Sequence, residues 1–489
     1  MRGGCAVFTG FVGSGSFPSG RRGSRAGRPA RHWPALAAAA LLGVVAGCSG
    51  DSHKGHGPTS AETALKPVSS EVQEAVARVW PEAPKIWPGT VLKDRRIILG
   101  DGVGTRLISV DGVTNLSPSE LRKRKIAIPR SGSSYASWDG HPAVVMNAAD
   151  PSYRSDAAAA RMSLSATLFA AATDELYHAT QQRWQAWKKG GEMRGTEYPL
   201  AVTPRLYRAM LYNDLVAAYA DPKQRNGRLA GAAYWRSMWQ KEYAGEAKRA
   251  AATDIGEGAA GYFGAVATAM AMGAKQDDPR EIRKRSQLRP MDRTLDAGQV
   301  TVDGESTALG SVAGLLLDER RKGWKREVTQ GSTPVDLLLS GVTPVAEQPS
   351  DSLRQSIQDV LSKLNTDLIP RLNPLVASYR NTAHPLLLIP MSTAQGDLDA
   401  GGYYVSRDVP YAILARLNGT FRLSSGTIEA KEASVLAGMV GGHSYLIMPI
   451  DRDKSGVTAN HVNLRGGAVT GSFQVSAHRA KGREELIAR

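Results

Sequence analysis

Arg161 to Trp187 reads RMSLSATLFAAATDELYHATQQRWQAW. The run is apolar except for the insert Asp174-Glu175-Leu176-Tyr177-His178, and its spacing predicts one long helix. Asp174 and His178 are four apart, so on that helix they project from one face, a turn from each other, with Glu175 beside them. A carboxylate and an imidazole on one helical face, with a second carboxylate adjacent, is the layout of a helix-borne metal site.

The hydrophobic period changes on either side of this stretch. Upstream, residues 91 to 146 carry short β-branched runs (RRIILG, TRLISV, KIAIP, PAVVMNA) between Gly-rich turns. They predict three to five strands, with hairpins at Asp101-Gly102 and Asp111-Gly112. Gly100, Gly102 and Gly104 lie between two strands with no helix following, so they mark a turn and not a phosphate loop. A helix from Val68 to Trp80 is expected ahead of these strands.

From Ser155 to Gly273 the pattern is helical almost throughout. Thr203 to Tyr219 starts on Thr-Pro and repeats every 3.6 residues. Asn226 to Gly273 is rich in Ala and is interrupted near Asp254-Ile255-Gly256-Glu257-Gly258. Each glycine costs about 1 kcal/mol in a helix interior relative to Ala. Either the helix breaks there, or close packing requires residues without side chains. Helices are also expected at Thr307–Leu317, Pro334–Leu339 and Leu353–Leu372. The charged stretch Lys275–Arg293 and the Pro-bounded stretch Pro344–Asp351 read as linkers. From His384 the chain turns strand-like again. The fold class is therefore α+β: a small N-terminal sheet, a mainly helical domain, then a C-terminal β-rich unit.

The first 47 residues differ from the rest. Arg21, Arg22, Arg25, Arg28 and Arg31 form a basic block without acids, and Trp33 to Ala46 is an apolar run of signal-peptide length. It ends Val45-Ala46-Gly47-Cys48, a sequence that looks like a bacterial lipobox with Cys48 as the lipidated residue. These features imply export and a lipid anchor in the cell membrane. The chain has two cysteines, Cys5 and Cys48, so the mature protein would have no disulfide and no thiolate chemistry. Six arginines precede Cys48, and without them the formal charge of +15 becomes +9. That balance suits an anionic envelope surface, and no interleaved basic and aromatic patch points to nucleic acid. Residues 48 to 66, which include His53 and His56, read as a flexible tether.

The motifs around the opening helix resemble zincin-like metallopeptidases of the gluzincin type, which carry HExxHxxQ followed by EGxAxY. The first motif stands here as Asp174-Glu175-Leu176-Tyr177-His178-Ala179-Thr180-Gln181, and the second as Glu257-Gly258-Ala259-Ala260-Gly261-Tyr262. A weaker third is GLLLDERRKGWK at 314 to 325. The resemblance covers about residues 90 to 345, and it implies a zinc site. Asp174, His178 and Glu257 would be the metal ligands and Glu175 the general base. Gln181 would shape the pocket, Asp254 would orient His178 from behind, and Tyr262 would offer a hydroxyl to an oxyanion.

The departure from the family pattern is Asp174, which stands where the family has His. Two carboxylates and one imidazole on zinc make the metal less electrophilic than a site with two imidazoles, and raise the pKa of its bound water. Oxygen-rich ligation also shifts preference toward harder ions. The expected function is a degenerate peptidase acting as a binding or scaffold module at the cell envelope, with a peptide or envelope protein as partner. The alternative is an active metal-dependent peptidase with an Asp/His/Glu site. The expected divisions are residues 1–47 signal peptide, 48–66 tether, 67–345 zincin-like domain, 346–383 helical linker and 384–489 β-rich unit.

Overall fold

A computed structural model of the chain describes residues 6–8, 61–181, 184, 195–286, 288–291, 295–453, 455–480 and 482–489. The expected signal peptide beyond residues 6–8 and the tether as far as residue 60 lie outside the described residues.

The fold is α+β, as expected. Among the described residues the longer helices are α1 (Ala61–Val79), α2 (Leu164–Gln181), α3 (Val202–Ala220), α4 (Arg225–Glu242), α5 (Ala244–Ala271), α6 (Val302–Arg320) and α7 (Asp351–Arg380). α1 starts within the stretch expected as tether, and Leu65 is already buried there. α2 starts later than expected. A shorter helix, Pro151–Ala160, ends first, with Arg161 in the left-handed region as its cap.

The N-terminal sheet has five strands in the order Gly112–Asn115, Thr105–Ser109, Arg96–Gly100, His141–Asn147, Ser133–Trp138. The two central strands run parallel, and their continuous apolar runs Ile97-Ile98-Leu99 and Val144-Val145-Met146 are buried on both faces. Alternate residues separate the faces. Ile97, Leu99, Val144 and Met146 join the main helical core, while Ile98 and Val145 pack under Leu121 and Ile128. The edge strand Ser133–Trp138 lies beside α2.

The expected interruption near residues 254–258 is absent. The long helical run divides at Tyr243, and α5 continues through Asp254 to Ala271. The glycines serve packing. A Cβ on Gly258 would stand 3.2 Å from Gly310 Cα, and α5 and α6 meet backbone to backbone at that pair.

The segment expected as a helical linker is α7, and it is no free connector. Ile357, Leu361, Leu368 and Leu372 on α7 belong to the same core as Leu386, Leu388, Leu436 and Ile447 of the C-terminal unit. In that unit, Thr427–Val440 pairs with Val469–Ala480 through its first half and with His443–Pro449 through its second. The sheet thereby curls around a second core that includes Leu387, Ile389, Leu446, Phe473 and Leu486.

Candidate functional site

α2 and α5 pack side by side and bring the three expected ligands together. His178 Nε2 lies 3.4 Å from Asp174 Oδ2 and 3.6 Å from Glu257 Oε2. Zinc ligands about 2.0–2.1 Å from the metal stand about 3.3–3.4 Å apart at the corners of a tetrahedron, so both separations are near that edge. His178 Nε2 is buried and has no hydrogen-bond partner. Among the described residues no three His, Cys, Asp or Glu side chains form a preformed metal cage. Asp174, His178 and Glu257 offer a donor set that zinc accepts, with Nε2 as the shared corner and the cage not closed. Burial alone would lower the pKa of His178, but the Glu257 and Asp174 carboxylates outweigh it and raise it to about 10. Placed between the two acids, the imidazole is held in its protonated form.

The imidazole is oriented by Gln181 and not by Asp254. His178 Nδ1 donates to Gln181 Oε1 at 3.0 Å, which turns Nε2 toward the carboxylates. Gln181 Nε2 donates to the Gly256 carbonyl at 2.8 Å and so ties the end of α2 to α5. Gln181 therefore does more than shape a pocket. Asp254 faces away, into a buried ionic cluster. It accepts from Arg208 at 2.6 Å and from Ser306 at 2.6 Å. Burial would raise its pKa, but Arg208 prevails and holds it below the usual carboxylate range. Arg205, Arg208, Glu246 and Glu305 complete the cluster.

Glu175 is placed differently from the expected base. It is 1% exposed. Ser133 Oγ donates to its Oε1 at 2.9 Å and Tyr135 Oη to its Oε2 at 2.7 Å. Burial raises its pKa, with the Tyr135 bond opposing. Ser133 and Tyr135 were not singled out in the sequence. Their spacing of two on a strand puts them on one face, yet nothing local shows that this face meets α2. Tyr262 also departs from expectation. Its hydroxyl donates to Asp318, and its ring packs among Trp87 and Trp324. It is a core residue sealed away from an oxyanion.

A cavity of about 580 Å³ opens beside the triad, with Asp174 in its wall. Thr167, Ala170 and Ala171 extend from Asp174 along α2, and Gly261, Gly264 and Ala265 extend from Glu257 along α5. The C-terminal unit contributes Gly401–Tyr404 and Arg416 to the lining. The sequence had left that unit outside the site.

Trp184, Trp235 and Trp239 are buried core residues. His443 is exposed on the C-terminal unit. Comparison with family models, with characterised proteins and with solved structures gives no match.

Proposed function

We propose that the chain is an exported, lipid-anchored protein whose zincin-like domain has an altered metal motif and binds a peptide or envelope protein without hydrolysing it. One observation carries this reading. Both oxygens of Glu175 are engaged by Ser133 and Tyr135, and the side chain is sealed from solvent. A general base must reach the proton it removes, directly or through one water, and Glu175 is turned to the sheet. The anchoring part rests on the basic block, the apolar run and Cys48. No helix among the described residues is long and apolar enough to cross a membrane.

The test is metal content and turnover in the full chain. Wild type should carry no stoichiometric zinc, Asp174→His should gain it, and Glu175→Gln should leave partner binding unchanged. Stoichiometric zinc in wild type, with peptide hydrolysis that Glu175→Gln abolishes, would overturn the reading. Cys48→Ala should move the protein from the membrane to the soluble fraction.

The second reading is a metal-dependent peptidase, favoured by the 3.4 and 3.6 Å separations about Nε2. Asp174, His178 and Glu257 would hold the ion, and bound zinc would supply Lewis-acid activation of water.

A further inference from the structure

Arg416 is the one cavity-lining arginine placed there by an irregular backbone. It sits in the strand Val409–Arg422, where the pairing register shifts between Leu414 and Leu417. Its φ is 53°, in the left-handed region that a side chain rarely adopts. A bulge re-aims the side chain it carries. Here it turns Arg416 inward beneath Gly401, while Glu432, which has φ 52° on the facing strand, stays exposed. A Cβ on Gly401 would stand 2.8 Å from Arg416 Nε, so the glycine leaves room for the guanidinium.

The Arg416 side chain is only 12% exposed, and its Nε is buried without a hydrogen-bond partner. Its NH1 lies 3.4 Å from Asp367, a carboxylate that also accepts from Arg371 Nε at 3.3 Å. A guanidinium carries five donors in a fixed fork that matches a carboxylate in two parallel bonds. Among the described residues its Nε finds no acceptor, and Arg416 lines the same cavity as Asp174.

We propose that the cavity takes a short peptide segment with small side chains, and that Arg416 pairs with the peptide's free carboxylate. This rests on the peptide-binding reading above and names the ligand class for the same site. The walls along α2 and α5 are mainly alanines and glycines, with Thr167, Asp174 and Thr268, so an extended backbone with small side chains can lie close against both helices. Residues 167 to 174 of α2 span about 10 Å at 1.5 Å per residue, the length of about three extended residues. Phosphate could also occupy a guanidinium fork, but Asp156, Asp174, Asp296 and Asp303 outnumber Arg285, Arg289 and Arg416 in the same lining and disfavour a dianion. A peptide that bears a cationic and an anionic end meets both signs.

The test is isothermal titration calorimetry on the full chain in detergent, with Ala-Ala-Ala, its C-terminal amide, and inorganic phosphate as probes. Wild type should bind the free tripeptide, and amidation should weaken binding tenfold or more. Arg416→Asn keeps a residue that tolerates the left-handed backbone. It should melt like wild type and bind the free and amidated peptides equally weakly. Equal affinity for both peptides in wild type would overturn the proposal, as would phosphate binding with the peptides silent. Absence of binding by either peptide would overturn it together with the peptide-binding reading. Affinity for the peptides that ignores amidation would leave that reading standing and remove Arg416 from it.

Discussion

The contact between Gly258 and Gly310 allows a paired test of how the candidate site is held. Gly310→Ala places a Cβ inside the van der Waals envelope of the Gly258 Cα and carbonyl. Gly264, on the same helix as Gly258, has nothing within 4 Å of an added Cβ. Both glycines lie in helix interiors. Each alanine therefore gains about 1 kcal/mol of helix propensity, and the gain cancels when the two variants are compared. What remains is the clash, about 1–3 kcal/mol for overpacking. The upper end is expected, because the opposing atoms are backbone and have no rotamer to change. Gly264→Ala should thus stabilise the protein by up to about 1 kcal/mol, and Gly310→Ala should fall below it by about 2–3 kcal/mol. Denaturant unfolding followed by tryptophan fluorescence reads the right unit, since no tryptophan follows Trp324. A difference between the variants below about 0.5 kcal/mol, within the scatter of surface substitutions, would refute the backbone contact. Because Glu257 adjoins Gly258, Gly310→Ala should also weaken the zinc affinity gained in Asp174→His.

Three further perturbations address the groups around the site. Arg208→Met removes the cation that lies 2.6 Å from Asp254 and 2.8 Å from Glu305; Glu305 keeps Arg205 at 2.8 Å, but Asp254 is left with Ser306 and with Arg236 at 3.8 Å. It should cost about 3–5 kcal/mol in the same unfolding assay, and a loss under 1 kcal/mol would contradict the buried pairing. Tyr135→Phe withdraws a charge-assisted bond from Glu175 and should cost about 1.5–3 kcal/mol, whereas an unchanged midpoint would mean that Glu175 is not held by the sheet. Asp214 titrates against Glu347: burial first, then that neighbouring carboxylate, raise it from 3.8 to about 7, with Arg228 opposing. A carboxyl raised on folding holds its proton more tightly in the folded state, so its contribution is full below about 4 and is lost as the pH rises toward 7. Asp214→Asn mimics the protonated acid. It should match wild type in melting temperature near pH 4 and exceed it at pH 8, and a pH-independent difference would remove Asp214 from this role.

The order of sheet, helical middle and second sheet was legible because each unit keeps its own hydrophobic period over many residues. The glycines near Glu257 marked their region correctly but left two readings open. Propensity alone cannot separate a helix break from a close approach, because the deciding atom is Gly310, fifty residues away. Asp174 and His178 were legible by helical spacing and Glu257 only through the resemblance, and the helices do bring the three together. The roles of Asp254 and Tyr262 were not. Both lie near the motif in the chain, but Arg208 and Asp318 claim them through long-range pairs that no local pattern encodes. Arg205 and Arg208 did leave a trace, as two cations three apart within an apolar helical repeat. Arg416 left none, since a bulge that redirects one side chain follows from the register of two paired strands.

The two adjacent acids of DELYH have been separated by geometry. Successive residues on a helix point about 100° apart, so Asp174 and Glu175 can face one cleft only if that cleft wraps around the helix. Here the cavity lies on the Asp174 side and the edge strand Ser133–Trp138 on the Glu175 side. Of the triad, His178 is 6% exposed and Glu257 5%, while Asp174 is 25% exposed and lines the cavity. The position that departs from the family motif is therefore the one a ligand in the cavity meets first. An imidazole there would complete a metal site and turn that metal toward the cavity. A carboxylate there offers the ligand a negative hydrogen-bond acceptor, backed by a protonated His178. On the proposed reading, aspartate at this position would both weaken a zinc site and present the ligand with an anion in place of an electrophile.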